Sequence, residues 1–135
     1  MKKKFNYKVA VVGLGYVGLP LAVQAAKKFN VIGFDINKQR VYQLQKNYDS
    51  TNEITKEKLK KVRKNLSFAS DKNSLIDRNF FIITVPTPID KYKKPDLGFI
   101  NKATSYISNF IKKGDIVIYE CTVYPGITED HCGKI

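Results

Sequence analysis

At 135 residues the chain has room for one domain with a real core. Its 24 basic and 12 acidic residues give a formal charge of +12. The lysines are spread along the chain, and the two clusters, Lys2-Lys3-Lys4 and Lys56 to Lys64, have no interleaved aromatics; this sets nucleic acid aside as a partner and reads the clusters as solvated faces.

Two cysteines eleven apart, Cys121 and Cys132, and a lone histidine, His131, speak against a disulfide framework and against a metal site. They fit a reducing cytoplasm. No segment approaches the roughly 18 apolar residues of a membrane span, and the N-terminus carries no apolar stretch long enough for a signal peptide.

In chain order, Lys2 to Asn6 reads as a solvated arm. Tyr7 to Val12 predicts a first strand, buried on both faces as parallel strands are. It runs straight into Gly13-Leu14-Gly15-Tyr16-Val17-Gly18, a G-x-G-x-x-G turn that opens a helix. Gly18, Ala22, Ala25 and Phe29 form one stripe of that helix, and Pro20 comes early enough that its missing N–H costs little. Val31 to Phe34 predicts a second strand, ended by Asp35 about twenty residues past the glycine turn.

Strand, glycine turn, helix and acid-terminated strand is the layout that holds a dinucleotide. Gly13 permits the tight turn, Gly15 leaves room for a pyrophosphate, and Gly18 lets the helix pack close to the strand. Exposed N–H groups of the first helical turn face the phosphates, helped by the helix dipole. The alternative is a glycine turn in an unrelated α/β domain with nothing bound.

A carboxylate at position 35 accepts both hydroxyls of the adenosine ribose and repels a 2′-phosphate, which favours NAD over NADP. Arg40 pulls the other way, since an arginine near that position can hold a 2′-phosphate. The plainer reading of Asp35 is a loop acid or a helix cap. Asn37, however, already offers itself as the cap of a helix carrying Val41 and Leu44.

Asn47 to Asn65 reads as an excursion. It holds a short basic helix from Glu53 to Lys64, capped by Thr51 or Asn52, with Ile54, Leu59 and Val62 on its apolar side. Leu66 to Ala69 predicts a third strand, Asp71 to Ile76 a brief helix, and Phe80 to Val85 a fourth strand. Pro86-Thr87-Pro88 stops that strand. Ligands of open α/β sheets lie at this carboxyl edge, so Val85, Pro86 and Thr87 are candidate cofactor contacts; Thr87 is otherwise a plain turn residue.

Asp90 to Pro95 reads as a polar, mobile loop. Asp96 is placed to cap a helix with a buried stripe of Ile100, Ala103, Ile107 and Ile111, and Gly114 to stop it in a left-handed conformation. Ile116 to Tyr119 predicts the fifth strand. Glu120 to Gly126 follows at its carboxyl end, and the chain finishes in the start of another helix.

Several segments together resemble one family, the UDP-glucose/GDP-mannose dehydrogenases. They are V-A-V-V-G-L-G-Y-V-G-L-P-L-A (residues 9–22), G-F-D-I-N-K-Q-R-V (33–41), T-V-P-T-P-I-D (84–90), K-P-D-L (94–97) and Y-E-C-T-V-Y-P-G-I-T-E (119–129). They come in the family's order and span nearly the whole chain. The last two look most like the branch that oxidises UDP-N-acetylhexosamines to uronic acids for bacterial surface polysaccharides.

The resemblance implies a Rossmann-like, doubly wound α/β fold. Its parallel sheet has the order 3-2-1-4-5, with helices on both faces and the sixth strand absent, so one edge is bare. It implies NAD as cofactor. Residues Gly13 to Gly18 would hold the pyrophosphate, chiefly through the N–H groups of Tyr16 and Val17. Asp35 and Arg40 would sit around the adenosine ribose, with Thr87 on the nicotinamide side. Thr122 matches a residue beside the reaction centre that positions a water or the substrate. The family usually has Ser where this chain has Cys121, and a thiol is the poorer hydrogen-bond partner.

Such enzymes perform two successive hydride transfers from the sugar C6 to two NAD, through a cysteine thioester that is then hydrolysed. The nucleophile and base lie beyond residue 135. The resemblance therefore implies that residues 1–135 are an NAD-binding domain without the central helix and the UDP-sugar domain, inactive alone. The full-length enzyme would be a homodimer or larger homo-oligomer. Cys121 and Cys132 do not match the nucleophile and read as small apolar residues; His131 reads as a helix-surface residue. A competing reading keeps the glycine turn and Asp35 but makes the chain a nucleotide-sensing module without catalysis. The P-T-P and E-C-T-V-Y-P-G segments favour the enzyme, because a sensor has no need of a reaction-side Thr122.

Overall fold

The computed structural model describes residues 6–123 and 125–135; the Lys2-Lys3-Lys4 run and Tyr124 lie outside them. The strands among these residues are β1 (Lys8–Val12), β2 (Asn30–Phe34), β3 (Leu66–Ala69), β4 (Phe80–Ile83) and β5 (Ile116–Tyr119). They form one all-parallel sheet in the order β3-β2-β1-β4-β5, as expected. In the register of the sheet Val9 stands between Val31 and Phe80, and Val12 between Phe34 and Ile83.

The helices are α1 (Gly18–Ala25), α2 (Lys38–Gln45), α3 (Lys56–Val62) and α4 (Gly98–Ser108). Side chains alternate across a strand, and β1 shows it. Val9 and Val11 pack with Leu19, Ala22, Val41, Leu44 and Leu59 of α1, α2 and α3. Ala10 and Val12 pack with Phe81, Leu75, Ala103 and Ile107 on the other face. With helices covering both faces, the strands read as continuous apolar runs rather than alternating ones. Leu44 and Ile107 are fully buried, and truncating either to Ala costs about 2–5 kcal/mol by the usual cavity rule.

Several boundaries differ from the sequence reading. α1 ends at Ala25, so Phe29 is off its stripe; it lies exposed, its ring edge-on to Tyr7 at 6.3 Å. α3 starts at Lys56 under Thr55, whose Oγ1 accepts the Lys58 N–H at 3.4 Å. Thr51 and Asn52 do not cap it, because Asp49 has already captured the N–H groups of Thr51, Glu53 and Ile54. Asp71 caps a single 3-10 turn, Lys72–Leu75, in place of the longer helix.

α4 begins at Gly98, whose N–H donates to Asp96 Oδ1 at 2.8 Å. It closes at Ser108, which leaves Ile111 beyond it and exposed. Gly114 does adopt φ +96°, but in the turn into β5 and not at the helix end. The loop from Asp90 to Pro95 is folded on itself: Asp90 accepts the N–H groups of Tyr92 and Lys94, and Ile89 bridges to Pro95. His131 is half-buried rather than on the surface, and its Nε2 pairs with Asn101 Oδ1 at 2.7 Å.

Candidate functional site

The glycine turn leaves the carboxyl end of β1 and is bonded from several sides. Gly13 takes φ +100°, a conformation that costs only glycine nothing. Its N–H donates to Phe34 O at 2.8 Å. The Leu14 N–H donates to Asp35 Oδ2 at 2.8 Å. The Gly13 carbonyl accepts the buried Thr84 hydroxyl at 2.7 Å, and the Leu14 carbonyl accepts Arg40 Nε–H at 2.9 Å.

The N–H groups of Gly15, Tyr16 and Val17 have no protein acceptor among the described residues. No side chain caps α1 either. Uncapped N–H groups at the positive end of a helix dipole are suited to a phosphate.

The spaces around the glycines differ sharply. A Cβ on Gly18 would lie 1.7 Å from Gly13 O and 2.5 Å from Thr84 Oγ1, so only glycine fits there. A Cβ on Gly15 would meet nothing within 4 Å. The first glycine is required by packing, and the second leaves an open approach to the turn. That opening and the orphan N–H groups fit the pyrophosphate of a dinucleotide.

The turn forms one wall of a cleft of about 330 Å³ at the carboxyl edge of the sheet. Gly13, Leu14, Gly15, Asp35, Val85 and Pro86 line it, all six singled out in the sequence. Asp35 Oδ1 accepts the Asn37 N–H at 2.9 Å, while Asn37 Oδ1 caps α2 through the Arg40 N–H. Each Asp35 oxygen thus carries one backbone bond and keeps capacity for a further donor.

Arg40 does not itself line the cleft. Its guanidinium is buried and ion-paired with Asp49 at 2.7 Å. Nη1 also reaches Ser50 Oγ at 3.1 Å and Nη2 reaches Thr51 Oγ1 at 3.4 Å. Burial alone would raise the Asp49 pKa. The hydrogen bonds from Thr51, the Ile54 N–H and Arg40 outweigh that and hold it at about 2.

The Pro86-Thr87-Pro88 and Glu120-Cys121-Thr122 segments meet where β4 and β5 end. Thr87 Oγ1 donates to Thr122 O at 2.9 Å. Thr122 itself is exposed, and neither threonine lines the cleft. Burial pushes the Cys121 thiol pKa up. Its S–H is shared between Ile83 O at 3.4 Å and Val85 O at 3.3 Å. Cys121 is therefore a protonated tether between strand ends, and Cys132 is buried.

These features coincide with a match of residues 7–135 to the NAD binding domain of the UDP-glucose/GDP-mannose dehydrogenase family. The chain belongs to that family. It is 56% identical over 127 residues to the UDP-N-acetyl-D-glucosamine 6-dehydrogenase of Pseudomonas aeruginosa, covering 94% of this chain and 30% of that protein. A solved UDP-N-acetyl-mannosamine dehydrogenase from Staphylococcus aureus superposes with a TM-score of 0.84 at 34% identity, over 93% of this chain and 31% of that one. A UDP-glucose dehydrogenase from Pyrobaculum islandicum does so with a TM-score of 0.87 at 26% identity, over 99% and 33%. The chain thus spans about a third of the length of the relatives it matches. The cofactor of this dehydrogenase domain is NAD.

Within this dehydrogenase domain, sequence reasoning missed the opposite wall of the cleft. Phe99, Lys102 and Tyr106 of α4 also line the cleft, as do Ile36 and Asn37; the Tyr106 ring lies 5.9 Å from that of Phe34. Their i, i+3, i+7 spacing marks a second stripe on α4, next to the apolar one. Thr84 and Asp49 were also missed as site-shaping residues. Among the described residues no helix is long and apolar enough to cross a membrane.

Proposed function

We propose that this chain is the cofactor half of a nucleotide-sugar 6-dehydrogenase. The enzyme would oxidise the C6 alcohol of a UDP-N-acetylhexosamine, or of UDP-glucose, to the uronic acid with two NAD, in the making of surface polysaccharides. The observation that carries the substrate class is the identity of more than half the residues with a UDP-N-acetyl-D-glucosamine 6-dehydrogenase along nearly the whole chain. NAD, when bound, supplies the hydride acceptor.

The chain's own residues do the binding and orienting. Free N–H groups of Gly15, Tyr16 and Val17 take the pyrophosphate oxygens, and Gly15 offers no side chain to block them. The remaining lone pairs of Asp35 accept the adenosine ribose hydroxyls, and its charge repels a 2′-phosphate. Val85 and Pro86 line the cleft and would meet the nicotinamide-ward half of NAD. Thr87 holds the backbone of Thr122 in place, and Thr122 presents its own hydroxyl to the water or substrate at the reaction centre. Free thiols at Cys121 and Cys132 support a reducing cytoplasm as the setting.

The test is substrate selectivity in an enzyme that contains this domain. Alcohol to acid is a four-electron oxidation, so two NADH per sugar are expected from UDP-N-acetylhexosamines, and slower turnover from UDP-glucose. NADH formation with UDP-glucose alone would overturn the branch. No NADH with any UDP-sugar would overturn the activity.

A further inference from the structure

We propose that the edge of the sheet opposite the cleft is a docking face for an anionic lipid surface, on which the domain lies without crossing it. The cofactor site leaves the formal charge of +12 unexplained, and the polarity of a parallel sheet shows where part of it goes. All five strands start at one edge and end at the other. The cleft lies at the carboxyl edge. There the acids Asp35, Asp71 and Glu120 follow β2, β3 and β5.

The amino edge is the reverse. α1, α3 and α4 run back to it, and each leaves lysines there: Lys27 and Lys28 after α1, Lys64 after α3, Lys112 and Lys113 after α4. The Asn65 side chain donates to Ala26 O at 3.0 Å, which ties the Lys64 corner to the Lys27 corner. Arg78 joins from the turn before β4, its Nη1 donating to Asn30 Oδ1 at 2.6 Å. The acids of this rim are Asp77 and Asp115, and Asp115 already accepts the Lys112 N–H at 2.8 Å. All of these lysines are exposed, and among the described residues none is held in an ion pair.

Lysine at a helix C-terminus complements the dipole, which accounts for these charges on a solvated surface. It does not account for the apolar side chains set among them. Phe29 directly follows Lys28 and is 39% exposed; Ile111 directly precedes Lys112 and is 37% exposed. Ile76, two residues before Arg78, is 49% exposed. Cations interleaved with protruding apolar groups suit the headgroup layer of a bilayer. The lysine heads meet lipid phosphates, and the apolar tips enter the acyl boundary. A nucleic acid asks instead for a row of aromatic platforms, and Phe29 is the one exposed ring on this rim among the described residues. Docked this way, the domain keeps its cleft toward water, so docking and cofactor exchange do not compete.

The chain has no tryptophan, so single indoles report on each edge. Phe29→Trp places one on the basic rim. Tyr92→Trp places one on the loop beyond β4, at the carboxyl edge, where the native side chain is exposed. The vesicles are phosphatidylcholine alone or mixed with phosphatidylglycerol. The chain should sediment with the mixed vesicles only. Binding should fade as salt rises from about 0.05 M to about 0.5 M, because the screening length contracts. Emission of Phe29→Trp should move to the blue on binding, and that of Tyr92→Trp should not. Lys27→Gln combined with Lys28→Gln should lower partitioning on the order of tenfold. Its unfolding midpoint should match wild type, since both side chains are exposed.

A folded chain that stays in the supernatant with anionic vesicles would overturn the proposal. Equal blue shifts at both reporters, or partitioning unchanged in the lysine pair, would overturn the assignment to this rim. Tighter binding of single-stranded RNA than of the vesicles would make the rim a nucleic-acid surface and overturn it too.

Discussion

The carboxylate of Asp35 accepts the Leu14 N–H at 2.8 Å, from the end of β2 to the turn that leaves β1. One acid therefore joins two neighbouring parallel strands at their carboxyl ends and lines the cleft as well. Replacing it removes a backbone bond and, on the proposed reading, a ribose partner together. Asp35→Ala should weaken NAD binding by about 1–3 kcal/mol, the range for a charged hydrogen-bond partner. It should also narrow the preference for NAD over NADP, since the repelling charge is gone. Calorimetric titration of both cofactors checks this, and an unchanged NAD affinity would refute it.

Gly15 and Gly18 should separate binding from stability. Gly18→Ala drives a methyl into Gly13 O and Thr84 Oγ1, and overpacking of this kind costs about 1–3 kcal/mol or more. Gly15→Ala meets nothing in the protein, so its unfolding midpoint should hold or rise slightly. Its NAD affinity should nonetheless fall roughly tenfold, about 1.4 kcal/mol, because the methyl would stand in the proposed pyrophosphate approach. Thermal unfolding and titration of both variants decide it.

Acid stability should report on Asp49. Its folded pKa of about 2 lies below the ordinary value of 3.8. A depressed carboxyl stabilises the fold above its unfolded pKa, and that contribution is lost as pH falls through the folded pKa. It should therefore be complete above about pH 5 and fade toward pH 2, amounting to roughly 2 kcal/mol. The stability gap between wild type and Asp49→Asn, read from denaturant unfolding, should shrink across that window. A gap independent of pH would contradict the assignment.

Much of this architecture was legible in the sequence. The continuous apolar runs, the glycine turn and the terminal acid mark the strands and one wall of the cleft, because each rests on local patterning; the order 3-2-1-4-5 is what the family resemblance implies. What was not legible depends on contacts made across the chain. Arg40 pairs with Asp49 in the excursion from Asn47 to Asn65, which has no periodicity to announce it, and Asp49 then takes the N–H groups that Thr51 or Asn52 would have capped. The wall formed by Phe99, Lys102 and Tyr106 depends on how α4 lies on the sheet, which helical spacing alone does not give. The half-buried place of His131 is hidden for the same reason: its partner, Asn101, is on another helix.

Tyr119 offers an alkaline counterpart to Asp49. Burial pushes its phenol up to about 12, against the lowering effect of the Thr104 hydroxyl at 2.9 Å. A raised pKa means that stability is fully present below the unfolded value of about 10 and is lost as pH climbs toward 12. Tyrosinate absorbance should show one late-titrating tyrosine, absent in Tyr119→Phe. That variant should also lose about 0.5–1.5 kcal/mol of stability with the hydrogen bond.

The most direct measurement is a parallel calorimetric titration of the chain with NAD, NADP and a UDP-N-acetylhexosamine. The account predicts binding of NAD, much weaker binding of NADP, because Asp35 repels its 2′-phosphate and Arg40 is tied to Asp49, and no binding of the UDP-sugar to this cofactor half. A chain shown by circular dichroism to be folded that binds no NAD, or that binds NADP equally well, would contradict it.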